Sequence, residues 1–251
     1  MKKTVVRFNR SERWFHNIVM FSFLFLLVTG LAMIFYNLKG DQGASRQFLV
    51  LVHKVVSVAF IVGPVLALLL GCKKTWKENI SIITSFGRDD IMWMLLKPVA
   101  AIKKGVTLPK DDKFNPGQKM WTYIAISGSV ILAVTGVIMW VKGSAILALM
   151  LHTATALMLT PALAGHMYMA IFNKDTRPGF GSIVDGEVDA EWAMHHHPLW
   201  MERKAKERVR AMVAPDVKAG KKLRSGINSA KIGIGVNYRG RVGAHPYTKT
   251  A

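Results

Sequence analysis

The chain has a single cysteine, Cys72, in 251 residues. An internal disulfide, a cysteine-ligated iron–sulfur cluster and a CxxCH haem attachment are thereby excluded, and any metal chemistry falls to histidine. Acid is scarce as well: 15 Asp and Glu stand against 34 Lys and Arg, a formal net charge of +19. Mean hydropathy is nevertheless positive, at +0.26. Both statements hold together only if basic and apolar residues are segregated along the chain, and they are.

Four runs contain no Asp or Glu: Phe15–Leu38, Phe48–Gly71, Met120–Val141 and Ser144–Phe172. Each is long enough to cross a hydrocarbon layer of about 30 Å. Only helices and closed barrels satisfy their backbone in lipid, and continuous rather than alternating hydrophobicity selects helices. The expected fold is an all-α membrane protein, a four-transmembrane-helix bundle with a cytoplasmic interfacial helix and a basic C-terminal tail. The first run exceeds the h-region of a secretory signal, and Tyr36-Asn37-Leu38-Lys39-Gly40 offers no small-x-small cleavage pattern. It reads as a retained helix.

With four crossings both termini share one side. That side receives Lys2, Lys3, Arg7, Arg10 and Arg13, the Lys-rich stretch from Lys73 to Lys119, and everything after Lys174. The other side receives Lys39, Arg46, Lys54 and Lys142. The positive-inside rule makes both termini cytoplasmic, in a bacterial inner membrane. Residues 1–14 are then a cytoplasmic N-terminus and 15–172 the transmembrane domain, with loop 72–117 cytoplasmic. Residues 173–214 form a charged cytoplasmic segment, and 215–251 a basic extended tail that orders on a partner or on anionic headgroups. Such charge would also suit nucleic acid, but a membrane anchor argues against that partner. Within the loop, Asp89–Lys104 reads as an amphipathic helix with Ile91, Met92, Trp93, Leu95, Leu96, Val99 and Ile102 available to one face. It lies in the headgroup layer or against a partner protein.

Fourteen positions separate His152 from His166 in the last run. At about 100° and ~1.5 Å per residue, the two imidazoles look out of one helix face about 21 Å apart, one near each edge of the membrane. His16 begins the first run on the cytoplasmic side; His53 lies near the start of the second, which enters from outside. Depth therefore pairs His53 with His152 in the outer layer and His16 with His166 in the inner one. Two imidazoles at each of two levels suit two bis-histidyl b haems, whereas a tetrahedral zinc would be left half filled. The competing reading is a haem-free anchor or transporter using the histidines for packing or proton relay. The triplet His195-His196-His197 fans over about 200° if helical, and reads as solvated or interface-packing rather than as a metal site.

The first and third runs share Val28-Thr29-Gly30-x-x-Met33 and Val134-Thr135-Gly136-x-x-Met139. This hints at a duplicated helix pair, although the histidines do not repeat with it. Gly30, Gly63 and Gly136 serve either close helix contact or room for a flat macrocycle.

Several stretches in combination carry a family resemblance: Asn115-Pro116-Gly117-Gln118-Lys119-Met120, Thr135-Gly136-Val137-Ile138, His166-Met167-Tyr168-Met169-Ala170, Gly186-Glu187-Val188, Trp192, His196-His197-Pro198 and Trp200. Over approximately residues 13–203 the chain resembles the dihaem cytochrome b (gamma) subunit of membrane-bound respiratory formate dehydrogenases. The resemblance implies two haem b groups with His16, His53, His152 and His166 as axial ligands, paired as above. It also implies a site for menaquinone or another quinone near Asn115, Gly117, Gln118 and His166. Asn115 before Pro116 equally reads as an ordinary helix cap. The implied partners are an iron–sulfur (beta) subunit, a molybdenum or tungsten catalytic (alpha) subunit and membrane lipid, with a higher oligomer of the complex left open. The chain would be an electron-transfer subunit with a quinone site and no formate site. The cytochrome b of a hydrogenase, thiosulfate reductase or related oxidoreductase shares this architecture and stays open. Pro116 stands where the family often has a small residue, Pro161 is expected to interrupt the fourth helix between its ligands, and the tail lies outside the resemblance.

Overall fold

The structure, a computed structural model, describes residues 3–143 and 145–218. After a short strand, β1 (Thr4–Val6), come α1 (Arg10–Leu38), α2 (Ala44–Leu70), α3 (Lys73–Thr84), α4 (Arg88–Ile102), α5 (Pro116–Lys142) and α6 (Ile146–Met167). A π-helical turn, Tyr168–Phe172, extends α6; then follow a 3-10 turn (Arg177–Phe180), α7 (Gly181–Val184), β2 (Glu187–Asp189), α8 (Ala190–His196) and α9 (Pro198–Lys218). Two units divide the chain, 1–204 and 205–251; the second is described only as helical residues 205–218.

The helices α1, α2, α5 and α6 with its extension are the four spans. Their outward faces carry residues such as Phe21, Val28 and Leu70, respectively 65%, 66% and 85% exposed. Water would reject such a surface and hydrocarbon accepts it. Packing joins the spans two by two, α1 on α2 and α5 on α6, as antiparallel hairpins. A Cβ at Gly63 would lie 2.6 Å from Ile18 Cγ2, and one at Gly128 2.6 Å from Leu159 Cδ1. These two glycines let helices touch. The connections after α1 and α5 mark one end of the bundle, called here the hairpin end; the opposite, terminal end holds β1, α3 and α4.

Both hairpins begin with the same cap. Asn9 accepts from the Glu12 N–H while the Glu12 carboxylate accepts from the Asn9 N–H, and Asn115 and Gln118 repeat the arrangement with Pro116 in the first turn. Asn9 precedes Thr29 and Asn115 precedes Thr135 by the same 20 residues. The duplication therefore reaches back through Arg7-Phe8-Asn9 and Lys113-Phe114-Asn115. In space the halves grip each other reciprocally: Arg7 donates to Gln118 Oε1 at 3.3 Å, Lys113 to Glu12 Oε1 at 2.5 Å, and Phe8 stacks on Phe114 at 5.9 Å.

Three features depart from expectation. Helix α3 arises inside the Lys-rich loop, where its polar sequence hid it. Strand β1 pairs antiparallel with β2, Val5 opposite Val188, and these valines form a small core with Ala193 and Trp200. Strands of three residues are too short to display alternation. Pro161 does not interrupt the fourth helix: α6 runs unbroken past it, as α2 does past Pro64. A proline removes one backbone bond, which a packed membrane helix tolerates. Helix α4 agrees with the expected amphipathic segment, and Ile91, Leu95 and Ile102 are exposed along it. Helix α9 continues to Lys218, four residues into the stretch expected to be extended; residues 219–251, with His245, lie outside the described residues.

Candidate functional site

At the hairpin end His53 from α2 faces His152 from α6, with ring centroids 6.3 Å apart and planes at 65°. Two imidazoles bound on opposite sides of one metal, each with a metal–nitrogen bond of ~2.0 Å and ~1.1 Å from nitrogen to ring centre, have centroids about 6.2 Å apart, close to the spacing seen here. The repeated motif frames both rings. Thr29 Oγ1 lies 2.8 Å from His53 Nδ1, and Thr135 Oγ1 lies 2.9 Å from His152 Nδ1. A Cβ at Gly30 would come 3.6 Å from His53 Cε1, and one at Gly136 3.5 Å from His152 Cε1. His53 and His152 thus meet the motif alike in space, although their sequence offsets from it differ and His16 and His166 have no such counterparts. Thr and His are 24 residues apart in the first hairpin and 17 in the second, the difference being shared between the connection and the helix segments on either side of it.

A cavity of about 540 Å³ surrounds the two rings, walled by apolar residues including Met33, Phe60, Leu132, Met139 and Leu149. Asn37, Arg46 and Lys54 also line it; Arg46 donates to Asn37 Oδ1 at 2.8 Å, and the Lys54 ammonium lies over Trp140. Imidazoles for two faces, apolar walls and cations for carboxylate edges suit a haem. Among the described residues no group of three or more His, Cys, Asp or Glu could hold a metal ion. A tetrahedral ion is poorly served by such pairs.

At the terminal end His166, in the last turn of α6, stacks on Trp121 of α5 at 4.7 Å and 11°. His16 stands in the second turn of α1, at the same end of the bundle. His16 Nδ1 is buried with no hydrogen-bond partner, which a protein interior seldom tolerates unless something else satisfies the atom. Asn115, Gly117 and Gln118 gather at the start of α5. Asn115 Oδ1 accepts from the Gln118 N–H at 2.8 Å, and Gln118 Oε1 accepts from the Asn115 N–H at 3.1 Å and from Arg7. Both amide oxygens are thus committed to the cap and to Arg7. The Trp93 ring of α4 stands 3.7 Å from where a Cβ of Gly117 would be.

Sequence reasoning missed the buried charges around this end, because Lys and Arg in a loop read as a solvated face. The Glu12–Lys113 pair is almost fully buried, and Asn79 bonds to both members. Lys119 pairs with Asp90 at 2.8 Å and donates to the Ser85 carbonyl. Burial draws Arg7 down to about 10, with Glu12 pulling the other way. Burial likewise lowers Lys113, again opposed by Glu12. Burial pushes the Asp111 carboxyl up to about 7, against the pull of Lys97 and Trp93. The histidine triplet does not converge on a metal. His197 is buried, its Nδ1 2.7 Å from the Asp112 carbonyl, and burial with the nearby Arg7 charge holds it well below the usual imidazole range. His196 sits 3.4 Å from Asp175, which it keeps below the ordinary carboxylate range.

Residues 7–184 match the prokaryotic cytochrome b561 family. Over 209 residues the chain is 30% identical to the formate dehydrogenase cytochrome b556(fdo) subunit of Escherichia coli K12, covering 79% of this chain and 92% of the relative. A formate dehydrogenase cytochrome b556 subunit of Haemophilus influenzae is 30% identical over 212 residues, covering 78% and 82%. The nitrate-inducible formate dehydrogenase cytochrome b556(Fdn) subunit of Escherichia coli K12 is 28% identical over 214 residues, covering 79% and 90%.

Proposed function

The chain belongs to the prokaryotic cytochrome b561 family, and from that premise we propose that it carries electrons from a formate dehydrogenase across the inner membrane to a quinone. Haem b, multiple membrane spans and an electron-transfer role come with the family and its relatives. The finer reading is two bis-histidyl haems, menaquinone or another quinone reduced on the cytoplasmic side, and both termini cytoplasmic. Its partners are an iron–sulfur subunit and an extracytoplasmic molybdenum or tungsten catalytic subunit. The names of the curated relatives support the formate assignment, and the basic terminal end supports the orientation.

The observation that carries the reading is the 6.3 Å spacing of His53 and His152 around an apolar cavity. When bound, haem b supplies a one-electron iron centre. The chain's own residues do the remainder. His53 and His152 would hold the outer group, with Arg46 and Lys54 available to its carboxylates. His16 and His166 would hold the inner group, the His166 ring being stacked on Trp121. Asn115 and Gln118, whose oxygens are engaged, offer amide N–H donors to a quinone carbonyl beside Gly117.

The test is haem content and a redox titration of the purified chain with its alanine variants. The expected result is two b-type centres. His53→Ala and His152→Ala should abolish the same one, and His16→Ala and His166→Ala the other. A single centre in the wild type, or loss of the same centre in all four variants, would overturn the pairing. Formate added to the co-purified complex should reduce both centres; reduction by another donor only would reassign the partner.

A further inference from the structure

Thr29 and Thr135 are each 5% exposed inside the apolar bundle. A hydroxyl has one proton to give. Thr29 gives it to the Phe25 carbonyl at 2.9 Å and Thr135 to the Ile131 carbonyl at 2.6 Å, one turn back along each helix. A hydroxyl so committed can only accept from the ring beside it. That arrangement assigns the ring protons of His53 and His152 to Nδ1 and leaves a free lone pair on Nε2.

We propose that Thr29 and Thr135 are positioning residues for the His53–His152 pair, holding both imidazoles in the Nδ1–H tautomer so that Nε2 is the ligating nitrogen, and lowering the potential of that haem. The second effect follows because a hydrogen bond accepted from Nδ1–H makes the ring a stronger donor to iron and favours the oxidised metal. The proposal rests on the haem reading above; the hydrogen bonds stand without it. A threonine in a membrane helix often bonds its own backbone and does nothing more. Here the same contact recurs in both hairpins although the Thr–His separations differ, and each adjoining glycine abuts the same ring. At the terminal end, among the described residues, no threonine hydroxyl is bonded to His16 or His166, and His16 Nδ1 is buried without a hydrogen-bond partner. The two haem levels are thus built with different electronic surroundings.

The test uses the full chain in lipid, as wild type, Thr29→Val, Thr135→Val, the double Val variant, and the Ser and Ala replacements at both positions. In haem-free protein labelled with 15N-histidine, nitrogen NMR should show Nδ1–H tautomers at His53 and His152. These should persist in the Ser variants and become mixed in Val and Ala. In haem-loaded protein one midpoint potential should rise in each Val variant, and further in the double, while the other stays fixed. The low-spin EPR signal of the same centre should shift, and Ser should restore both readouts. Loss of that one haem in Val and Ala but not in Ser supports the proposal equally. Unchanged tautomers and unchanged potentials in the double Val variant would overturn it, as would Ser behaving like Val. A wild type with the expected tautomers that takes up no haem refutes the functional reading and leaves the threonine–histidine bonds standing.

Discussion

Gly30 and Gly136 differ from Gly63 and Gly128 in what they face. The second pair meets side chains of a neighbouring helix at 2.6 Å, whereas the first pair meets imidazole carbons at 3.6 and 3.5 Å. Position in the sequence offers no way to tell these roles apart. A methyl at Gly136 is ordinary van der Waals contact, so Gly136→Ala should retain haem; Gly136→Leu drives a larger side chain across the His152 ring and should lose the haem proposed for the His53–His152 pair. Pyridine haemochrome content of washed membranes reads both outcomes. Asp111 gives a second residue-level expectation. Its carboxyl rises from 3.8 to about 7 through burial, so the folded chain binds that proton more tightly than the unfolded chain. The associated stability is complete below pH 4 and is lost as pH rises through about 7. Wild type should therefore lose stability relative to Asp111→Asn between pH 4 and pH 8, as measured by denaturant unfolding in detergent. A pH-independent difference between the two proteins would contradict the buried carboxyl.

The helices are caps and seams as much as apolar rods. Asn9 and Asn115 start α1 and α5 with matching boxes, and the cation before each cap reaches into the other hairpin. Glu12 serves both purposes, receiving the Asn9 N–H and the Lys113 ammonium. Glu12→Gln keeps an oxygen for the cap and removes the charge, stranding buried Lys113. Breaking one side of a buried pair costs about 3–5 kcal/mol. Unfolding of detergent-solubilised protein should show a loss of that order, largely recovered when Lys113→Met is added. An effect below about 1 kcal/mol would mean that the pair is hydrated rather than sealed. The two hairpins thus meet at the terminal end through ions and at the hairpin end through the histidine pair.

For the molecule as a whole, the unequal distribution of Lys and Arg sets the expected orientation, and Cys72 offers a direct check. It is the chain's only cysteine, it is exposed at the terminal end just after α2, and hydrogen bonding to Thr75 lowers its thiol, which favours the reactive thiolate. A membrane-impermeant maleimide should label it in inverted vesicles and not in intact cells; the opposite pattern would reverse which histidine pair lies outside. The four spans were legible because each is a long run free of acid, and lipid leaves such a run no fold but a helix. Depth was legible too, since rise per residue is constant: counting along α6 separates His152 from His166, and counting along α2 brings His53 level with His152. The threonine contacts, the glycine faces and the reciprocal ion pairs were not. Seven extra residues between Thr29 and His53 conceal the repeat from any fixed-offset comparison, though they close onto the same geometry in space. Rotation of a helix about its own axis explains the division. Hydropathy and residue count determine how deep a side chain lies, while the packing of α1 on α2 and α5 on α6 determines which way it points and what it meets there.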